Sequence, residues 1–232
     1  MPEISLVIPA FNEAQTIEAL LRRVAELGLD AEMIVVDDGS TDETVAILER
    51  LDGDMPGLRV MRQPRNLGKG AAVRVGIAAS TSEIVLIQDA DLEYDPADIP
   101  RLVAPLRDGR ADVVYGTRLR GGSEPQRAHM FWHYAGNRLL SLLTNILFNT
   151  TISDMEVGYK AFRGDLVRSI RLVSNDFAFE PEITAKVLRR GVRLYEVPIA
   201  YYGRTYDEGK KITWRDGLKA IAALARFRFS PM

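Results

Sequence analysis

The chain has 232 residues, 47 % of them hydrophobic, and a formal net charge of −2. That length and apolar content suit one domain with a full core, and the slight acidity argues against nucleic acid as a principal partner, because phosphate binding needs a basic surface. Cysteine is absent, which excludes disulfides and thiolate metal sites but fixes no compartment.

Residues 4–9 read as a short apolar strand, entered with no basic region or cleavage site, so no export signal is expected. Asn12 and Gln15 have the spacing of a capping box for a helix that Gly28 stops, and Ile17, Leu20, Leu21, Val24 and Leu27 recur at helical spacing to face a sheet. A strand over 33–37 leads into DDGSTDET, where Ser40 and Glu43 suggest a second capping box before a helix ending near Leu51. A strand over 58–62, the loop QPRNLGKG, a helix over 71–79 and a strand over 84–88 continue an alternation that predicts four parallel strands. Open α/β sheets bind ligands outside the carboxyl ends of such strands, here 9–13, 37–40 and 89–93. GKGAAV lacks the third small residue of the dinucleotide fingerprint, no GxxxxGK[ST] occurs, and PAFNE replaces the glycine-rich loop of a nucleotidyltransferase. Gly68 and Gly70 therefore read as turn formers and Lys69 as a solvated loop lysine.

The run IVLIQDADLEYDP passes abruptly from branched apolar residues to carboxylates. In an extended segment alternate side chains point the same way, so Asp89, Asp91 and Glu93 can converge on Mg²⁺ or Mn²⁺ shared with a nucleotide diphosphate. Asp95 reads instead as an N-cap, with Pro96 at the first helical position. The next helix contains Pro105 and is expected to bend or break there, and a strand over 112–115 ends in GTR. A loop over 118–129 carries Arg118, Arg120 and Arg127. Beyond it Phe131, Trp132, Leu139, Leu142, Leu143, Ile146 and Leu147 form an amphipathic helix that either packs on the sheet or lies in a bilayer surface. Its most apolar run, 139–148, is shorter than the roughly 20 residues of a membrane span. His129 and His133 lack the glutamate of HExxH, which argues against zinc. A strand over 158–162, a helix over 179–190 stopped by Gly191 and a strand over 194–198 follow. The segment AYYGRTYDEGKKITWRDG carries Arg204, Lys210 and Lys211, and Arg204 is the candidate phosphate ligand because guanidinium binds phosphate through two N–H groups and stacks on rings. A basic amphipathic helix over 214–229 comes last.

IPAFNE, VVDDGSTDET, NLGKGAA, QDADLEYDP and GTR, in that order, resemble a family 2 inverting glycosyltransferase of the GT-A type. HYAGNRLLSLLTNILFNTTISDMEVGYKAFR, FEPEITAKVLRRG and EVPIAYYGRTYDEGKKITWRDG are similar to the dolichol-phosphate mannose synthase branch. The resemblance implies an α/β fold with a mainly parallel central sheet flanked by helices, in one catalytic domain. Residues 1–116 would form its nucleotide and metal half, and 117–232 its acceptor half with the C-terminal helix. It also implies that Pro9, Phe11, Glu13, Val36 and Asp38 hold base and ribose, that Asp89, Ala90 and Asp91 meet ribose and diphosphate, and that Asp91 and Glu93 bind Mg²⁺ or Mn²⁺. Arg204 and Lys210 would stabilise the leaving diphosphate, and Arg118 and Arg127 would grip an acceptor phosphate. Phe11 stands where tyrosine is commoner, and Glu93 where many relatives have glutamine. The implied activity is inverting, metal-dependent transfer of a hexose, mannose from GDP-mannose, to dolichyl or polyprenyl phosphate. A phosphate monoester is already substantially ionised at neutral pH and needs orientation more than a base. The expected location is the cytoplasm, peripheral on the membrane surface, because longer relatives continue into membrane helices that this sequence lacks. Two alternatives stay open: transfer to a sugar or protein hydroxyl with Asp154 as general base, and a non-catalytic sugar-nucleotide-binding subunit.

Overall fold

Strands buried on both faces read as unbroken runs of branched residues, and β1 (Ile4–Ala10), β2 (Ala31–Asp37) and β4 (Ile84–Ile87) have that character and that burial. The computed structural model describes residues 1–119, 131–203 and 214–230. Among these, β3 (Leu58–Arg62), β5 (Val113–Thr117), β6 (Lys160–Arg163) and β7 (Leu194–Pro198) complete a sheet of order β3-β2-β1-β4-β6-β5-β7. The four strands of the first half pair in parallel as expected, and β5 pairs in parallel with β7. Only β6 runs antiparallel, between β4 and β5.

Register brings the chemistry to one edge. Ala10 lies opposite Asp37, Asp37 opposite Arg62, and Ile87 and Tyr115 both lie opposite Lys160. The chain therefore leaves β1, β2, β4, β5 and β7, and enters β6, along the same side of the sheet.

Helices α1 (Ile17–Glu26), α2 (Thr44–Asp54), α3 (Lys69–Ala79) and α4 (Ile99–Arg107) flank the sheet; α4 continues through Pro105 without breaking. At Gly76 a Cβ would come within 2.3 Å of Val7 Cγ1, so only glycine lets α3 pack this closely on β1. Neither proposed capping box forms. Asn12 adopts a left-handed φ of 54°; its N–H donates to Ser40 Oγ at 2.9 Å and its Oδ1 accepts from Thr41 N at 2.8 Å. Those side chains join two loops beyond the carboxyl ends of β1 and β2 instead of starting α1 and α2, whose N-caps, Thr16 and Glu43, make no side-chain capping bond.

The second half adds α5 (Phe131–Phe148), the short α6 (Gly164–Arg168), α7 (Phe179–Leu188) and α8 (Trp214–Phe229). Helix α5 packs mainly on α8 and α7, with Leu194 of β7 at the margin of the same apolar cluster. Its buried residues are Leu140, Ser141 and Thr144, while Trp132 is 82 % exposed, Ile146 68 % and Leu142 54 %. Most of that stripe therefore does not pack on the sheet, and the buried side of α5 meets chiefly α8 and α7. Arg189 donates to the carbonyls of Phe227 (2.8 Å) and Ser230 (2.7 Å), supplying a cation to the C-terminal end of α8.

Candidate active site

The loops beyond the carboxyl ends of β1 to β3 are built by backbone bonds to carboxylates. Asp38, 2 % exposed, accepts the N–H groups of Leu67 and Gly68, each at 2.8 Å, and so shapes the loop before α3. Gly68 (φ 99°) has no room for a Cβ, which would lie 2.4 Å from the Asn175 carbonyl oxygen. Glu13 is nearly buried and accepts from Thr16 Oγ1 at 3.0 Å, Phe11 and Pro9 are half-buried, and Val36 is fully buried with Ile34 and Ala72 in a small core. Pro9 and Val36 are register partners, so these residues do assemble at one place, with the Val36 side chain facing the core.

The acidic segment is a turn, not an extended ladder. Strand β4 stops at Ile87, Leu92 takes a left-handed φ of 58°, and Asp91 Oδ1 accepts the Glu93 N–H at 3.1 Å. Asp89 consequently parts from the other two carboxylates and is claimed by Lys69, whose Nζ lies 2.8 Å from Oδ1. The solvated reading of Lys69 is corrected by this contact and by a second one to Glu180 at 3.0 Å. Burial alone would lower the Lys69 pKa, but the two carboxylates outweigh it and hold the ammonium charged. Asp91 and Glu93 remain on one turn, and Glu93 Oε2 accepts the Tyr201 hydroxyl at 2.8 Å. Two hard carboxylates fit Mg²⁺ or Mn²⁺ that takes its other ligands from water and substrate phosphate; among the described residues no group of three or more candidate ligands forms a self-sufficient cage. Asp95 caps the following helical turn as expected, accepting the Ala97 N–H at 3.0 Å.

Across the site, Arg118 and Asp154 form a two-pronged pair. Nε donates to Oδ2 and Nη2 to Oδ1, both at 2.7 Å, and the Arg118 backbone N–H adds a third bond to Oδ2 at 3.0 Å. The Asp154 side chain is fully buried. Burial would raise its pKa, yet Arg118 holds it below the usual carboxylate range, so it is a fixed anion and a poor proton acceptor. The guanidinium lies 5.1 Å from the Tyr201 ring centroid, and its third nitrogen, Nη1, lies 3.5 Å from the Tyr94 hydroxyl. Tyr94 stacks between Tyr159 and Tyr201 at centroid distances of 5.3 and 5.5 Å, and its hydroxyl accepts the Gly158 N–H at 3.0 Å. Arg127, Arg204, Lys210 and Lys211 lie outside the described residues.

Residues 153–160, SDMEVGYK, thus touch both sides of the site. A Cβ at Gly158 would lie 2.1 Å from Asp89 Oδ2. Gly158→Ala is expected to displace Asp89, costing about 1–3 kcal/mol of stability and weakening nucleotide binding; thermal melts and titration with nucleoside diphosphate check both. Glu156 was not expected from the sequence. Among the described residues its Oε1 is buried without a hydrogen-bond partner, and burial followed by the nearby Glu180 charge raises its pKa from 4.5 to about 7. A carboxyl whose folded pKa is raised favours folding fully below the ordinary value and loses that contribution as pH climbs to the raised one. Glu156→Gln should therefore stabilise the protein at pH 8 by up to about 3 kcal/mol and much less at pH 5, as measured by denaturant unfolding at the two pH values.

Residues 5–171 match the family model for glycosyl transferase family 2. The chain belongs to that family. Among curated members it is 29 % identical over 213 residues to dodecaprenyl-phosphate galacturonate synthase of Rhizobium johnstonii, covering 90 % of this chain and 61 % of that protein. It is also 29 % identical over 215 residues to undecaprenyl-phosphate mannosyltransferase of Micrococcus luteus, covering 88 % and 85 %. The chain thus spans under two thirds of the rhizobial relative's length. Among solved structures, glucosyl-3-phosphoglycerate synthase of Mycobacterium tuberculosis in complex with Mn²⁺, UDP and phosphoglyceric acid superposes with a TM-score of 0.74 at 25 % identity, over 100 % of this chain and 80 % of that one. The family's GT-A arrangement agrees with the α/β fold expected from the motifs, and the antiparallel strand β6 is the addition the motifs do not announce.

Proposed function

We propose that the protein transfers a hexose, with inversion, from a nucleotide sugar to a polyprenyl or dolichyl phosphate, with GDP-mannose the first donor to test. The carrying observation is the Arg118–Asp154 pair: a buried anion fixes the guanidinium through Nε and Nη2 and so orients Nη1, 3.5 Å from the Tyr94 hydroxyl, as the edge that would grip an acceptor phosphate oxygen. A hydroxyl acceptor would need a base, and Asp154 is occupied by Arg118. Both curated relatives are named for polyprenyl phosphates, but one for galacturonate and the other for mannose, so they support the acceptor class more strongly than the sugar.

The nucleotide would lie over Pro9, Phe11, Glu13 and the Asp38-shaped loop, with Asp89 and Ala90 beneath ribose and diphosphate. Asp91 and Glu93 would hold Mg²⁺ or Mn²⁺, which when bound neutralises charge on the diphosphate; the mycobacterial neighbour was solved with Mn²⁺ and UDP. Arg204 and Lys210 are assigned to the same developing charge from the resemblance. Arg118, and Arg127 with it, would orient the acceptor so that one phosphate oxygen faces the anomeric carbon.

Access to a lipid acceptor would come through the outward stripe of α5, where Phe131, Trp132, Leu139, Leu142 and Ile146 share one exposed face. Among the described residues no helix is long and apolar enough to cross a membrane, so this surface is proposed to lie on the bilayer. The deciding experiment offers purified protein a panel of nucleotide sugars with polyprenyl phosphate or the matching polyprenol, with and without Mn²⁺. Metal-dependent transfer to the phosphate alone is expected; efficient transfer to the polyprenol, or turnover of no donor, would overturn the reading.

A further inference from the structure

A string of buried charges joins the two sides of the site. Glu180 on α7 is 3 % exposed and gives each carboxylate oxygen to a different lysine: Oε1 lies 3.0 Å from Lys69 Nζ, and Oε2 meets Lys160 Nζ. Lys69 continues to Asp89 on the donor side. Lys160, fully buried at the start of β6, donates also to the carbonyls of Met155 (3.2 Å) and Val157. Those carbonyls belong to the segment that begins with Asp154 and therefore sets where Arg118 points. Burial would raise the Glu180 pKa, but Lys160 and Lys69 hold it down, so the carboxylate stays charged between them.

Apolar side chains of similar volume usually stabilise an interior at least as well as buried ion pairs, so the value of this string is geometric. We propose that Glu180 is a positioning residue that holds the donor carboxylate Asp89 and the acceptor-side Asp154–Arg118 pair in one frame, so that nucleotide binding and acceptor binding are coupled. It rests on the reading above that Asp89 faces the donor and Arg118 the acceptor. A carboxamide has only one oxygen, carries no charge and turns its NH₂ toward an ammonium, so Glu180→Gln loses one lysine contact outright and holds the other only through a neutral oxygen, weakening both sides of the frame.

Hydrogen exchange on the wild-type protein tests the frame without any variant or acceptor. Adding GDP or UDP with Mn²⁺ should slow amide exchange across residues 153–158. Glu180→Gln should then weaken nucleotide binding and raise the KM for lipid phosphate, each about fivefold or more, the lower end of ordinary site coupling. Lys69→Met should move only the nucleotide Kd, and Lys160→Met only the acceptor KM. A purely structural role would lower melting temperature and active fraction while leaving Kd and KM per folded molecule unchanged. The proposal is overturned if Glu180→Gln shifts neither constant or only one, or if neither nucleotide alters exchange across 153–158. A wild-type exchange response without transfer to lipid phosphate would instead sink the acceptor assignment and leave the frame standing.

Discussion

Asp154→Asn is expected to lower sugar transfer about 10²-fold or more, as severely as Arg118→Ala, because misplacing a reacting group by about 1 Å has that scale of effect. The aspartate accepts from Nε, Nη2 and the backbone N–H of Arg118, and an asparagine offers one oxygen and an NH₂ that repels the guanidinium. Each single substitution also breaks a buried pair, which costs about 3–5 kcal/mol, so activity must be normalised to folded protein. The double variant Arg118→Met with Asp154→Leu should be no less stable than either single one, since no lone buried charge is left. On the hydroxyl-acceptor alternative Asp154→Asn would be inactive while Arg118→Ala stayed nearly normal. Labelled-sugar transfer to polyprenyl phosphate, measured beside thermal melts, separates the two.

Asp91→Asn should reduce turnover by about 10²-fold or more and weaken Mn²⁺ binding to the nucleotide complex. The substitution is clean because the asparagine oxygen can still accept the Glu93 N–H that shapes the turn, so charge is lost while the backbone is kept. Glu93→Gln should be milder, given that the Tyr201 hydroxyl can still donate to the carboxamide oxygen. Near-normal turnover of Asp91→Asn without added metal would remove the metal assignment; Mn²⁺ titration of the nucleotide-bound protein provides a readout independent of turnover.

Much of this molecule was legible from local pattern. Runs such as LVI and MIVV, flanked by helices at 3.6-residue spacing, are enough to specify four parallel strands and hence a ligand edge at 9–13, 37–40 and 89–93. Strands β3 and β7 and helix α8 lie where periodicity and terminators put them, and the Asp95 cap needs only the residues beside it. The capping boxes at Asn12 and Ser40 failed for a physical reason: their side chains found partners in another loop, 29 and 28 residues away in sequence, and local spacing cannot see such a competitor. The same holds for the charges. Lys69 reads as a solvated loop lysine and Asp89 as a carboxylate facing a metal, and nothing near them, Lys160 or Glu180 reveals that β6 will insert antiparallel between β4 and β5 and bring the four together. Asp154 read as an available base because a sequence shows a carboxylate without its partner. Which groups touch substrate was suggested by residue type and order. Which carboxylates were already spent on lysine or arginine was decided only by folding, because a long-range ion pair depends on sheet order and not on neighbours along the chain.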